Sequence, residues 1–263
     1  MSSILPQGKL APIRVNPKIL MLYALPKVGK TKVLSELDNT LILDLEGGAE
    51  MYECSRMKIT STMQSKDKDL KLIPGNENSG YSIDEVITSI IETGKQNGGK
   101  FPFNYIALDT IDKLEDFAEI SATRKYKQSV IGKTFQGNSI LELPQGGGYY
   151  YLREEVKLYI EKLSRVCKNL ILVSHVKEKL LNKAGVEVTS RDISLSGKLS
   201  QIVCSMADAI GYMSRDTTNN GKLMINFQTF DNAIMGARCP HLAGKQFEFD
   251  WSKLYIEENL KTT

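Results

Sequence analysis

The residues best suited to chemistry form the stretch ALPKVGKT at positions 24–31. It fits the pattern G-x-x-x-x-G-K-[ST] of a phosphate-binding loop at every defined position except the first, where Ala24 replaces glycine. In such a loop backbone N–H groups surround the phosphates, the lysine reaches the β- and γ-phosphates, and the hydroxyl binds Mg²⁺. The residues assigned to nucleotide contact are Ala24, Pro26, Lys27, Val28, Gly29, Lys30, Thr31 and Lys32.

Two acidic residues stand where predicted strands end. Asp109 closes YIALD, and Glu46 comes just after LILD. Ligands bind at the carboxyl ends of strands in open α/β sheets, so Asp109 is predicted to share Mg²⁺ with Thr31. Glu46 is predicted to orient and deprotonate the attacking water, with Asp44 as the second candidate. The plainer interpretations are a helix N-cap for Asp109 and a solvated turn residue for Glu46.

A third predicted strand, LILVSH, ends in His175. A lone histidine is more often structural, but this one shares the predicted sheet edge with Lys30, Glu46 and Asp109. We therefore assign His175 to the γ-phosphate. The predicted catalytic residues are Glu46, Lys30 and His175.

The elements that must position these residues alternate between strands and helices. Short apolar runs, typical of strands buried on both faces of a parallel sheet, are ILMLYA from Ile19, TLILD from Thr40, FNYIALD from Phe103 and NLILVSH from Asn169. Helical patterns lie between them at KTKVLSEL, at 83–94 after an S-x-x-E capping box, at 111–127 and at 149–166. The phosphate-binding loop thus follows a strand and opens a helix, which makes a chance G-K-T match a poor explanation.

The rest of the chain favours loops and hairpins. Residues 55–80 are polar and predict a loop-rich excursion, and 128–148 predict a glycine-containing loop. Past His175, hairpins are predicted with turns at 182–185 and 219–221. The prediction is an α/β fold, with a central mostly parallel sheet flanked by helices and an antiparallel C-terminal edge. Residues 1–16 are predicted to be an N-terminal extension and 17–263 a single domain.

Composition limits the function classes. The 34 lysines and arginines exceed the 31 acidic residues by a net charge of +3, so a polyanion must meet a local basic surface. The four cysteines form no C-x-x-C pair, which argues against a zinc site or a disulfide framework and favours reduced thiols in a cytoplasm. No apolar run is long enough to span a membrane, and the N-terminus lacks the apolar core of a signal peptide. We therefore expect a cytoplasmic protein with no membrane partner.

A basic and aromatic segment follows the Asp109 strand. RKYKQSVIGKTFQG, from Arg124, and QGGGYYY, from Gln145, mix cations that follow phosphates with aromatic rings on which bases stack. A second basic segment, VKEKLLNKAG, comes after His175. The residues predicted to bind DNA are Lys125, Lys127, Lys133, Tyr149, Tyr150, Lys177 and Lys179. The plainer interpretations are a solvated basic face and packing of Tyr149 against the sheet.

Taken in order, these motifs resemble those of the RecA-like P-loop ATPases. They are most similar to a small phage-encoded ATP-binding branch that includes single-strand-annealing recombination proteins. The matching segments are P-K-V-G-K-T from Pro26, D-L-E-G-G from Asp44, D-T from Asp109, G-G-G-Y from Gly146 and S-H from Ser174. The resemblance extends over residues 17–255, including ADAIGYMSR and DWSKLY near the C-terminus.

The resemblance implies ATP and Mg²⁺ as cofactors. It implies that Lys30 and Thr31 bind the phosphates and Mg²⁺ and that Asp109 also binds Mg²⁺. It further implies that Glu46 activates the attacking water and that His175 senses the γ-phosphate. Ala24 departs from the pattern of the wider superfamily, which bears on loop geometry and turnover more than on nucleotide binding.

The function expected from these features is an ATP-hydrolysing recombination protein that binds single-stranded DNA and promotes annealing or strand exchange. The alternative is a nucleotide-dependent regulator or phosphotransferase that does not bind DNA, although no arginine cluster typical of a kinase lid is present. Expected partners are further copies in a ring or filament and a single-strand-binding protein, in a host cytoplasm if the gene is phage-encoded. The residues considered for completing a neighbour's site are Lys177, Lys179, Arg191 and Lys198.

Overall fold

The helices and strands come from a computed structural model that describes residues 8–61, 74–183, 186–218, 220–230 and 233–257, without the side chains of 179–183 and 186–189. The strands in this part of the chain are β1 Ile19–Ala24, β2 Thr40–Asp44, β3 Ser55–Lys58, β4 Tyr105–Asp109, β5 Asn169–Lys183, β6 Val186–Ile193, β7 Ala209–Asp216, β8 Lys222–Asn226, β9 Gly236–Ala237 and β10 Gln246–Glu248. The helices are α1 Lys30–Ser35, α2 Ile83–Gln96, α3 Ile111–Gln128, α4 Gly148–Arg165, α5 Leu199–Met206 and α6 Trp251–Leu254.

The main path of the sheet has the strand order β10-β8-β7-β1-β5-β4-β2-β3. Neighbours from β7 to β3 run parallel, while β8 and β10 are antiparallel additions at one edge. Off this path, β6 pairs antiparallel with the second half of β5, from Val176 to Lys183. The predicted α/β fold, with a mostly parallel sheet, flanking helices and an antiparallel edge, is confirmed.

Both faces of the central strands are buried. Met21 and Tyr23 of β1 belong to the apolar cluster that also contains residues of α2, α3 and α4. Leu20 and Leu22 belong to a second cluster with residues of α1 and the C-terminal segment. Because each face of the strand meets an apolar layer, the sequence there is apolar without alternation.

Helix α2 begins where the sequence predicts it. The Ser82 hydroxyl accepts the backbone N–H of Glu85 at 3.1 Å, and the Glu85 carboxylate accepts the backbone N–H of Ser82 at 2.7 Å. This reciprocal capping box satisfies two of the free N–H groups at the helix end.

None of the described helices combines the length and the apolar character needed to cross a membrane.

The structure contains α5, α6, β9 and β10, which were not predicted, and it differs from the predicted elements in two further places. Within 55–80 the chain forms strand β3, which pairs parallel with β2; its side chains are largely exposed, so no apolar run marked it. Residues 62–73 of that excursion, like 1–7 of the predicted extension, lie outside the described residues. Strand β5 does not end at His175 but continues to Lys183 and itself forms the first arm of the predicted hairpin.

Candidate functional site

Ala24, the residue that departs from the glycine pattern, is the last residue of β1. It is fully buried and lies between His175 of β5 and Met213 of β7 in the strand register. Its methyl group belongs to the same apolar cluster as Val33 of α1. A regular strand position needs no glycine, so the loop after β1 accommodates alanine without distortion.

The glycine that the loop does require is Gly29. Its φ of 118° lies in the region that L side chains rarely adopt, and its carbonyl accepts the N–H of Val33 at 3.1 Å in the first turn of α1. Lys27 also has a positive φ, 64°. The chain between β1 and α1 is therefore a tight loop with two left-handed positions.

Lys30 is buried and folded back onto the loop. Its Nζ donates to the carbonyl oxygen of Leu25 at 3.2 Å and lies 3.5 Å from that of Ala24. Burial lowers the pKa of its ammonium group, and nearby carboxylates, with Asp109 foremost, oppose that shift. An anionic phosphate would compensate the buried charge more fully than these neutral carbonyls do.

Thr31 and Asp109 meet as the sequence predicts. The Thr31 hydroxyl donates to Asp109 Oδ2 at 2.6 Å. Burial raises the pKa of the Asp109 carboxyl to about 6, and the hydrogen bond from Thr31 opposes the rise. A hydroxyl and a buried carboxylate are oxygen donors of the kind Mg²⁺ prefers, and a cation would offset the cost of burying the charge. These residues therefore fit a magnesium site.

Asp44 and Glu46 have different surroundings. The Asp44 carboxylate accepts the backbone N–H groups of the next turn, at 2.7–3.2 Å, from Glu46, Gly47, Gly48 and Ala49. Asp44 is thereby occupied in shaping the turn. The turn directs Glu46 to the site, where Glu46 Oε1 accepts the Thr110 hydroxyl at 2.7 Å. Glu46 remains the better candidate for a base.

His175 is held by an aspartate that the sequence analysis did not single out. Its Nδ1 lies 2.5 Å from Asp112 Oδ2, and its backbone N–H donates to the same carboxylate. The Ser174 hydroxyl donates to Asp112 Oδ1 at 2.5 Å. A carboxylate on Nδ1 favours the tautomer that leaves Nε2 as an acceptor. His175 Nδ1 also lies 3.8 Å from Glu46 Oε1, so these side chains form one polar group.

A cavity of about 550 Å³ joins these groups. The predicted site residues that line it are Pro26, Lys27, Gly29, Lys30, Thr31, Lys32, Glu46, Asp109 and His175. Ala24 and Val28 are not among the lining residues. The residues that line it without having been predicted are Gly47, Gly48, Met51 and Tyr52. A nucleotide with its phosphates over the loop would meet Lys30, Thr31 and Asp109 together.

The residues predicted to bind DNA are placed unevenly. Lys125 forms an ion pair with the buried Glu155 at 2.6 Å, so its charge is already balanced. Lys127 Nζ lies 5.9 Å from the centre of the Phe135 ring. Lys133 and Lys177 are exposed, and the side chain of Lys179 lies outside the described residues. Lys125, Lys127, Lys133 and Lys177, the lysines of this set whose side chains the structure describes, do not line the nucleotide cavity.

Of the predicted tyrosines, Tyr150 belongs to an aromatic cluster where α3 and α4 meet. Tyr149 and Tyr150, in the first turn of α4, are 41% and 58% exposed. Tyr150 contacts Tyr151 with ring centres 5.4 Å apart, and Tyr151 contacts Tyr126 at 5.0 Å. The plainer interpretation of Tyr149, packing against the sheet, is not favoured by its exposure.

Arg191 is one of the residues considered for completing the nucleotide site of a neighbouring copy, but it already has partners in its own chain. Its Nε donates to Glu178 at 3.1 Å, and its guanidinium lies 5.2 Å from the centre of the Tyr212 ring. Lys198, at the start of α5, is exposed.

Further contacts of the site come from residues that the sequence analysis missed. Asp112 lies three residues after Asp109, in the first turn of α3, and this closeness to the strand end could have drawn attention to it. Thr110 directly follows Asp109. Arg215 at the end of β7 donates from Nε to the carbonyl oxygen of Val28 at 3.0 Å. Residues 28 and 215 are 187 positions apart, and no local pattern predicts their contact.

A comparison with models of known protein families identifies the family of this chain. The model of the AAA_24 family, described as an AAA domain, matches residues 16–239. No curated protein matches the chain. Among solved structures, a KaiC-like protein, PH0186, from the hyperthermophilic archaeon Pyrococcus horikoshii OT3 is similar at 10% identity and a TM-score of 0.40, over 90% of this chain and 87% of that one. Since the family match spans most of its length, the chain belongs to the AAA_24 family of AAA domains and is a P-loop ATPase.

Proposed function

We propose that this ATPase hydrolyses ATP with Mg²⁺, binds single-stranded DNA, and uses the nucleotide to promote annealing or strand exchange. The observation that carries the hydrolytic part is the meeting of Lys30, Thr31, Asp109 and Glu46 around one cavity. The DNA part is supported by the exposed tyrosines of α4 together with Lys127 and Lys133.

Four residues of the cavity have distinct roles in the proposed hydrolysis. Lys30 exchanges the carbonyl of Leu25 for phosphate oxygens and neutralises part of their charge. Thr31 and Asp109 would hold Mg²⁺, which would neutralise part of the negative charge on the phosphate oxygens. Glu46 exchanges its hydrogen bond with Thr110 for the attacking water and accepts the water's proton.

His175 reports on the γ-phosphate. With Nδ1 held by Asp112, its ring is fixed at the cavity wall, where it can contact a phosphate oxygen. The β5 strand continues from His175 directly into the β5–β6 hairpin. Contact with the γ-phosphate can thereby influence the segment that carries Lys177.

The proposed DNA surface is defined by Lys127, Lys133, Tyr149 and Tyr150. Tyrosine rings offer stacking faces for bases, and the two lysines offer charge for phosphates. Lys125 contributes less than the sequence suggested, because Glu155 balances its charge. That ion pair is also the observation that keeps the alternative open, a nucleotide-dependent regulator or phosphotransferase that does not bind DNA.

Assembly into a ring or filament is part of the proposal, with Lys177 and Lys198 as exposed candidates for completing a neighbour's site. Arg191 is a weaker candidate because Glu178 and Tyr212 already hold it. A single-strand-binding protein is a proposed partner, and a phage-encoded recombination role in a host cytoplasm is the proposed setting.

The test combines ATP turnover with fluorescence anisotropy of a labelled single-stranded oligonucleotide, at two salt concentrations, with and without ATP. We expect DNA to stimulate turnover and binding to weaken steeply with salt. Tyr150→Ala should weaken binding by about 1–3 kcal/mol, and a Lys127/Lys133 double alanine should reduce the salt dependence. A Lys222/Lys253 double alanine, on the antiparallel edge and in α6, is the matched charge control and should bind as wild type does.

Lys30→Ala separates the two parts of the proposal. It should abolish nucleotide binding, because the buried ammonium held at the loop is lost, while the melting temperature shows whether the variant is folded. Unchanged ATP binding in a folded variant would contradict the site. If wild type hydrolyses ATP but binds no oligonucleotide at low salt, the regulator or phosphotransferase function replaces the DNA function.

A further inference from the structure

The hairpin formed by β7 and β8 reaches the phosphate-binding loop through one side chain, Arg215. Strand β7 lies beside β1 in parallel register, with Met213 opposite Ala24. Residue 215 therefore lies just beyond the end of β1, beside the loop. Its Nε donates to the carbonyl oxygen of Val28 at 3.0 Å, and its Nη1 donates to that of Gly221 at 3.0 Å. One guanidinium thus joins the loop to the turn of the hairpin.

The contact with Val28 sets the direction of a backbone donor. The carbonyl of Val28 and the N–H of Gly29 belong to the same trans peptide group, in which they point in opposite directions. Arg215 holds the carbonyl on the side of the hairpin, so the N–H of Gly29 points away from it. Gly29 lines the nucleotide cavity and Val28 does not. The held peptide therefore presents its N–H to the cavity.

Gly29 and Arg215 also fit each other sterically. A Cβ on Gly29 would lie 3.0 Å from Arg215 Nη2, in addition to requiring a φ of 118° that a side chain resists. The absence of a side chain lets the guanidinium close over the outer side of the loop. A planar group with several fixed donors suits this position, since it bonds two carbonyls at once, which one ammonium on a flexible stem does less well.

We propose that Arg215 is a positioning residue of the phosphate site, which holds the Val28–Gly29 peptide so that the Gly29 N–H is directed at the phosphates before nucleotide arrives. The inference rests on nucleotide binding by the loop and is independent of DNA binding. Its contribution is orientation rather than bulk charge, because the guanidinium bonds the carbonyls of Val28 and Gly221 and does not line the nucleotide cavity.

The experiment measures the affinity for a fluorescent ADP analogue and the steady-state kinetics of ATP hydrolysis. Arg215→Ala should weaken ADP binding about tenfold, the equivalent of losing one well-directed hydrogen bond to a charged group, and raise KM more than it lowers kcat. The loss should persist in 1 M KCl, where the screening length falls to about 3 Å. Arg215→Lys, which keeps the charge but not the two-carbonyl contact, should recover only part of the affinity.

Lys222→Ala is the matched control, because Lys222 starts β8 beside the same turn and pairs with Glu248, away from the loop. It should bind ADP as wild type does. Wild-type affinity in a folded Arg215→Ala protein would overturn the inference, as would full recovery by Arg215→Lys together with loss of the effect in 1 M KCl. Should Arg215→Ala not fold, Arg215→Lys with weakened ADP affinity at an unchanged melting temperature supports the inference, and unchanged affinity overturns it. Failure of wild type itself to bind nucleotide would overturn the nucleotide site and this inference with it.

Discussion

At the scale of single residues, Asp44 and Glu46 show how two carboxylates in one short turn take different roles. The Asp44 carboxylate is surrounded by backbone N–H groups, whereas Glu46 is more than a third exposed and bonded to a hydroxyl that water can replace. A group that stabilises the turn contributes to folding. A group with a replaceable partner is free to act in the reaction.

Glu46→Gln should therefore keep the affinity for ATP and slow hydrolysis by roughly two orders of magnitude, the usual contribution of a general base. Asp44→Asn should instead lower the free energy of unfolding, because an amide offers one acceptor oxygen to N–H groups that the carboxylate now shares between two oxygens. Single-turnover hydrolysis and urea denaturation of both variants check this pair. The assignment is reversed if Asp44→Asn is the variant that stays stable and loses turnover.

The raised pKa of the Asp109 carboxyl predicts how the stability of the protein depends on pH. Its pKa in the folded protein is about 6, against 3.8 for an ordinary aspartate. As pH falls through 6, the folded protein takes up a proton that the unfolded chain binds only near pH 4, so the nucleotide-free protein gains stability toward acid. The gain attributable to Asp109 is on the order of 2–3 kcal/mol when complete.

Asp109→Asn removes this titration and should be more stable than wild type at pH 7, with the difference narrowing at pH 5. Urea denaturation at both pH values, without nucleotide or Mg²⁺, measures it. A difference that stays constant between pH 5 and pH 7 would show that the carboxyl titrates normally.

At the scale of elements, α1 depends on its neighbours. It has six residues, too few to be stable alone, and the indole N–H of Trp251 donates to the carbonyl of Val33 in it at 2.7 Å. Trp251 itself contacts Phe249 and Tyr255. The C-terminal helix α6 thereby holds the helix that carries Lys30 and Thr31.

Trp251→Phe keeps a ring in this place but removes the donor. It should lower the free energy of unfolding by about 1 kcal/mol, the net contribution of one hydrogen bond, because the Val33 carbonyl still accepts the N–H of Glu36 at 3.3 Å. Trp251→Ala should cost about 3–5 kcal/mol, because the packing is lost as well. Urea denaturation compares them, and equal stability of Trp251→Phe and wild type would show that the hydrogen bond contributes nothing.

The elements that the sequence predicted well are those with a local signal. Helix α2 has its capping box and a regular apolar face, and β1 has an uninterrupted apolar run. Strand β3 has neither, because an edge strand with exposed side chains needs no apolar residues. The length of β5 was missed for a related reason, since its second half gains its partner from β6 rather than from the core.

At the scale of the whole molecule, the site depends on the order of strands. Strand β5 lies between β1 and β4, so the ends of these three strands lie side by side: His175 is opposite Ala24, and Val173, two residues earlier, is opposite Asp109. The rule that ligands bind at the carboxyl ends of parallel strands was enough to predict that Lys30, Glu46, Asp109 and His175 meet. It was not enough to predict Arg215, whose place depends on β7 lying on the other side of β1.

The continuity of β5 has a consequence for amide hydrogen exchange. Up to His175 the strand is bonded to β1 and, as far as Val173, to β4 as well, whereas among the described residues Val176–Lys183 pair with β6. Amides in the first half should exchange only on global unfolding, and those in the second half through local opening of the hairpin. The amides of this one strand should therefore exchange slowly before His175 and faster after it. Slower exchange beyond residue 175 after nucleotide is added would reveal how far the contact at the cavity extends along the chain.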